Sequence, residues 1–95
     1  MHADEILKEM AGTFAGRRAV YGDTFSQIGV VMKSLFPDGA VLNSERDHCR
    51  YAALVLIAIK LTRYAANFER GGHQDSVHDL AVYGAILEAI DTTKE

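Results

Sequence analysis

From Ala40 to Arg70 the chain runs without a glycine or a proline, and its middle, AALVLIAI at 52–59, is apolar on every side. No other stretch restricts the fold as much. Breaker residues are the usual ends of helices, so this segment predicts one helix over 44–70, on the order of 39 Å long. A helix that is apolar all round is ordinarily enclosed by other helices. A buried strand is the competing reading of 52–59, because periodicity cannot separate the two over so short a run. The alanines and the unbroken flanks favour the helix.

The same logic places the neighbouring elements. Pro37-Asp38-Gly39 is a turn by composition, and Ser44 with Asp47 three residues later has the form of a helix cap. Downstream, Gly71-Gly72 supplies left-handed residues that close a helix. Ile6, Leu7, Met10, Ala11 and Phe14 recur at helical spacing and predict a first helix over 4–18, ended by Tyr21-Gly22-Asp23. Thr24 with Gln27 resembles a capping box, and Phe25, Ile28, Gly29, Met32, Leu35 and Phe36 trace the stripe of a second helix. Ser76 opens a fourth, ending near Thr92, with Val77, Leu80, Ala81, Gly84 and Leu87 on one face and Val82, Ile86, Ala89 and Ile90 on much of another. Two apolar faces suit contacts with the chain itself and with a second copy, and Gly84 would let a neighbouring backbone come close.

The expected architecture is all-α: a single domain over 1–95, a four-helix chain with a long central helix paired to the C-terminal helix, assembling into a helical-bundle homo-oligomer. Composition agrees, since 95 residues bury a smaller share of their surface than a larger chain and gain from association. A content of 48% hydrophobic residues with one proline indicates a globular protein rather than a disordered segment. The net charge of -3 offers no general attraction to nucleic acid or anionic lipid, so generic nucleic-acid binding is not expected and any anion site must be local. The apolar run 52–59 is far shorter than the roughly 20 residues of a membrane span. One cysteine, Cys49, cannot form an internal disulfide and reads as a small buried hydrophobe. With no secretion-signal pattern in MHADEILKEM, a cytoplasmic location is expected, that of the host cell for a phage-encoded chain.

Chemistry-bearing residues concentrate in KLTRYAANFERGGHQDSVHDLAVY, from Lys60 to Tyr83. Lys60, Arg63, Tyr64 and Asn67 follow helical spacing and share one face, where Lys and Arg one turn apart can grip phosphate oxygens and Tyr64 can offer its ring to a base. The plainer reading is a solvated face whose cations complement the helix C-terminus. Asp75 and Asp79, four apart, could share a divalent cation, while Ser76 with Asp79 reads equally as a capping box. His73 and His78 bracket Asp75 without matching an established zinc spacing, and His73 beside Gly-Gly otherwise reads as a surface residue. Arg17, Arg18 and Tyr21 form a second polar knot, which either ends the first helix or faces Lys60 and Arg63 as the other half of a nucleotide pocket.

The elements RRAVYGD, LFPDG and KLTRYAANFERGGHQDSVHDLAVYGAILE resemble a family of small phage and prophage proteins over about residues 17 to 90. They also look like the phage nucleotide-modification-associated domain, and more distantly the all-α NTP pyrophosphatases of the MazG type. That resemblance implies an oligomeric helical fold, a nucleotide ligand and magnesium on helix carboxylates, with Lys60, Arg63, Asp75, Ser76, Asp79 and Tyr83 in the polar positions. The segment TFSQIGVVMKSLF holds no acid where pyrophosphatases carry an E-E-x-x-E cluster, and Glu5 and Glu9 lie elsewhere. Two aspartates are few for pyrophosphohydrolysis. The leading expectation is thus a phosphorylated-nucleotide binder with Lys60, Arg63, Tyr64, Arg17, Tyr21, His73 and Tyr83 around the ligand and magnesium on Asp75 and Asp79, extending to magnesium-dependent nucleotide pyrophosphohydrolysis despite the incomplete carboxylate cluster. Its catalytic residues are unassigned. The alternatives are non-catalytic capture of a nucleotide or nucleotide defence signal, and a protein-protein interaction module or inhibitor of a host protein.

Overall fold

The computed structural model describes residues 2–21 and 24–93, of which 18–21 and 24 are described by their backbone alone. Among these residues lie α1 (Ala3–Tyr21), α2 (Thr24–Leu35), α3 (Glu45–Ala66) and α4 (Gln74–Thr92), with a 3-10 turn at Phe68–Arg70 and no strand. The apolar stretch 52–59 is therefore helical. The Thr24 cap and the Tyr21-Gly22-Asp23 turn fall outside the described side chains.

Local chemistry explains where α3 begins. Ser44 Oγ accepts the Asp47 N–H at 3.1 Å, and Asp47 Oδ2 accepts the Asn43 N–H at 3.1 Å, so donors that the helix start leaves open are satisfied as the spacing predicts. The Asn43 N–H, with help from Arg50, holds the Asp47 carboxyl below its ordinary value.

The end of α3 comes at Ala66, four residues earlier than the breaker pattern predicts. Asn67 is the cause: buried, with φ -111°, its Nδ2 donates to the Arg63 carbonyl at 2.8 Å and its own carbonyl accepts from Arg70 and Gly72 at 3.0 and 2.8 Å. A side chain that competes for helix carbonyls ends the α geometry before the glycines do. Gly71 and Gly72 then take the left-handed values expected of them, φ 96° and 90°.

α4 folds back antiparallel on α3, as their tied ends require. At the near end Lys60 meets Asp79 at 2.9 Å. At the far end Arg46 Nε donates to the Ile90 carbonyl at 3.1 Å, and Arg50 Nε donates to Asp91 Oδ1 at 2.7 Å. α2 is the next closest partner of α3, with Phe36 tilted against Tyr51 at a centroid distance of 5.7 Å, and α1 packs least.

The core is thin. Ala53 and Ala58 are the buried apolar residues among those described, joined by Thr62, Asn67 and Ser76. Neighbouring helices do not enclose the apolar middle of α3, since Leu56 is exposed. Cys49 is exposed rather than buried, and no backbone approaches Gly84 among the described residues. The radius of gyration is 16.4 Å, against roughly 12 Å for a compact chain of this length. No helix of the described residues is long and apolar enough to cross a membrane.

Candidate functional site: the joint between α3 and α4

The joint gathers groups from both helices. Lys60, 13% exposed, reaches Asp79, 40% exposed, across the helix pair. Hydrogen bonding by Lys60 is the main reason the Asp79 carboxyl lies below its ordinary value, with smaller contributions from the charges of His78 and Arg63. These four residues therefore share one electrostatic neighbourhood. The Arg63 Nε is shielded from solvent. Asp75 and Tyr83, at i-4 and i+4 from Asp79, lie on the same stripe of α4, with Asp75 exposed and Tyr83 partly covered.

Tyr64 and His73 hold the joint itself. A Cβ on Gly72 would stand 2.9 Å from Tyr64 Cε2, so the tyrosine ring lies almost on the backbone that a side chain would push away. Its other neighbour is Phe68, edge-on at 6.3 Å. His73 is the N-cap of α4: its Nδ1 accepts the Ser76 N–H at 3.3 Å and lies 2.6 Å from Ser76 Oγ. Both contacts suit the tautomer protonated on Nε2. The expected capping box of Ser76 and Asp79 is corrected accordingly. Ser76 stands inside α4 as the buried partner of the cap, and Asp79 is occupied by Lys60 rather than by an N-terminal N–H.

The face of Lys60, Arg63, Tyr64 and Asn67 is solvated only in part: Asn67 is buried, Lys60 and Arg63 are partly covered, and Tyr64 is exposed. Arg17 is exposed on α1, and no hydrogen bond or ion pair among the described residues links it to the joint. The Tyr21 side chain lies outside the described residues. Among the described residues no three of His, Cys, Asp and Glu converge as ligands for a metal ion. Asp75 and Asp79 can offer two carboxylates at most, a set that suits magnesium arriving on a phosphate, where water and phosphate oxygens complete the shell.

A second polar cluster, at the far end of the same helix pair, has no counterpart among the sequence expectations. Arg46 holds the last carbonyls of α4, and Arg50 bridges Asp91 and Asp47. A cavity of about 270 Å³ opens beside it, lined by Phe36, Val41, Leu42, Tyr51, Leu54 and Leu87 together with Arg50. One signal for it was present in the sequence. Two arginines in the first turns of a helix sit at the wrong end of its dipole and therefore need a partner from another element.

Comparison with protein-family profiles, with curated proteins and with solved structures finds no significant match.

Proposed function

We propose that this chain is a phosphate-recognising nucleotide-binding protein that works as a helical-bundle homo-oligomer, with Lys60 and Arg63 on the phosphates and Asp79 and Asp75 toward the accompanying magnesium. The observation that carries the reading is the Lys60–Asp79 pair at 2.9 Å, with His78 and Arg63 acting on the same carboxylate. Such a pair is neutral and half-covered, so a bare anion would have to displace Asp79 from Lys60. A magnesium phosphate need not. It can exchange partners with the pair, carboxylate to metal and ammonium to phosphate, and both charges remain matched. The resemblance to the phage nucleotide-modification-associated domain points to the same ligand class, and Phe68 and Tyr64 offer rings at the joint for a base.

Binding without turnover is the form this reading takes. Hydrolysis of a phosphoanhydride asks for more carboxylate-held metal than two aspartates supply. The test is a thermal-shift screen of nucleotides and cyclic nucleotides with and without magnesium, followed by product analysis. We expect a stabilising shift that needs magnesium, is lost in Lys60→Ala with Arg63→Ala, and comes without product. No shift across a broad panel sinks the nucleotide reading. Product formation abolished by Asp75→Asn or Asp79→Asn would convert the capture protein into a pyrophosphatase.

A second reading rests on a separate observation. Large apolar side chains including Leu7, Met10, Phe25, Val30 and Phe68 are exposed, which suits a protein-protein interaction module or an inhibitor of a host protein. That reading predicts that the Lys60 and Arg63 substitutions leave function intact.

A further inference from the structure

The chain exposes 7130 Å², whereas a folded monomer of 10.4 kDa exposes roughly 5,400 Å². The excess, on the order of 1,700 Å², is about twice what one partner of a standard interface covers and falls in the range of obligate dimers. Much of it lies on α1. Every described side chain of that helix is exposed, including Leu7 at 65%, Met10 at 59% and Phe14 at 51%.

α1 also lacks the means to persist alone. Gly12 and Gly16 in its interior each cost about 1 kcal/mol of helix propensity against alanine, and most helical stability in proteins comes from packing an apolar face. Ala3, Leu7, Met10 and Phe14 are spaced four, three and four apart, which aligns them in one narrow seam of the kind two helices share. The charges flanking the seam are unequally distributed. Asp4 borders the seam at one end and Arg17 continues it at the other, while Glu5, Lys8 and Glu9 lie on the outer face of the helix.

We propose that α1 is the seam of a two-fold homodimer, in which it packs antiparallel against α1 of a second copy and crosses it near Met10 and Ala11. An antiparallel crossing lays Asp4 of each helix along the Arg17 end of its mate, and it opposes the two helix dipoles. A parallel pair would set acid against acid. The inference rests on the self-association stated above and deepens it, because it names the surface and the orientation.

The test is the mass in solution by light scattering at about 100 µM, compared for wild type, Met10→Glu and Ile86→Glu. The last of these changes the open groove that Cys49, Ile86, Ala89 and Ile90 line on the α3–α4 pair. We expect twice 10.4 kDa for wild type and Ile86→Glu, and for Met10→Glu a dissociation constant raised about 100-fold or more. Circular dichroism separates dissociation from unfolding. Independently, Met10→Cys in a Cys49→Ser background should form a disulfide-linked dimer on mild oxidation, whereas Gly12→Cys, on the opposite side of the helix, should not. A wild-type monomer overturns this proposal together with the self-association. A dimer that resists Met10→Glu and yields to Ile86→Glu, or a Met10→Cys chain that stays unlinked, overturns this proposal alone.

Discussion

α1 and α2 on one side and the α3–α4 pair on the other are held in opposite ways. In α3 and α4 the ends and the joint have named partners: Ser44 and Asp47 at one start, Asn67 and His73 around the joint, Lys60 on Asp79, Arg46 on the last carbonyls of α4. Every buried residue among those described falls at or beyond Ala53. Among the described residues from 2 to 35 none is buried, and Leu7, Met10, Phe14 and Phe25 are exposed. The difference teaches that apolar content alone does not make a core. What the C-terminal pair adds is specific polar contacts that fix the register of two helices, while the N-terminal helices leave apolar surface exposed.

The same chemical change should therefore act differently in the two halves. The largest effect is expected for Gly72→Ala, where the added methyl meets the Tyr64 ring at 2.9 Å and the backbone is left-handed. Destabilisation of about 2 kcal/mol in urea unfolding is the expected result. Next comes His73→Ala, which removes the cap of α4 and strands the buried Ser76 hydroxyl, at a cost of about 1–2 kcal/mol. His73→Asn should recover most of it, since asparagine also caps, and neither change should alter nucleotide affinity if the histidine only holds the joint. In the other half, Gly12→Ala should stabilise by roughly 0.5–1 kcal/mol, because nothing among the described residues lies within 4 Å of the new methyl. A loss of stability there would break the contrast between the halves.

The smallest expected effect is acid sensitivity at the joint. Lys60 holds the Asp79 carboxyl below its ordinary value of 3.8, so on acidification the unfolded chain takes up this proton before the folded one. The contribution is whole above 3.8 and is lost as pH falls through the lowered value. Wild type should thus lose more stability than Asp79→Asn between about pH 5 and about pH 2.5, measured by thermal unfolding. Equal losses would show that the pair adds nothing to folding.

Much of the secondary structure was legible beforehand, and particular residues show why. The Ser44 cap, the turn after Pro37 and the left-handed Gly71 and Gly72 depend on atoms within a few residues of one another, so spacing alone reveals them. The end of α3 was misplaced because Asn67, polar and unremarkable in sequence, is buried and binds the Arg63 carbonyl. At the candidate site, residue type led to Lys60, Arg63 and Asp79, while the roles of His73 and Ser76 depended on which of them begins α4. Cys49 was read as buried from its usual preference and is exposed, because α3 has too few neighbours to enclose it.

By itself, then, the amino-acid order determined the helices, their caps and the breaks between them, since those follow from interactions within one or two turns of chain. The tertiary structure decided what the charges do. Lys60 finds a carboxylate on the next helix, and Arg46 finds a carbonyl 44 residues away, and neither pairing has a local signature. It also decided which apolar faces are covered. Burial is a property of how helices are stacked, and the stack in this chain covers α3 in part and leaves α1 open.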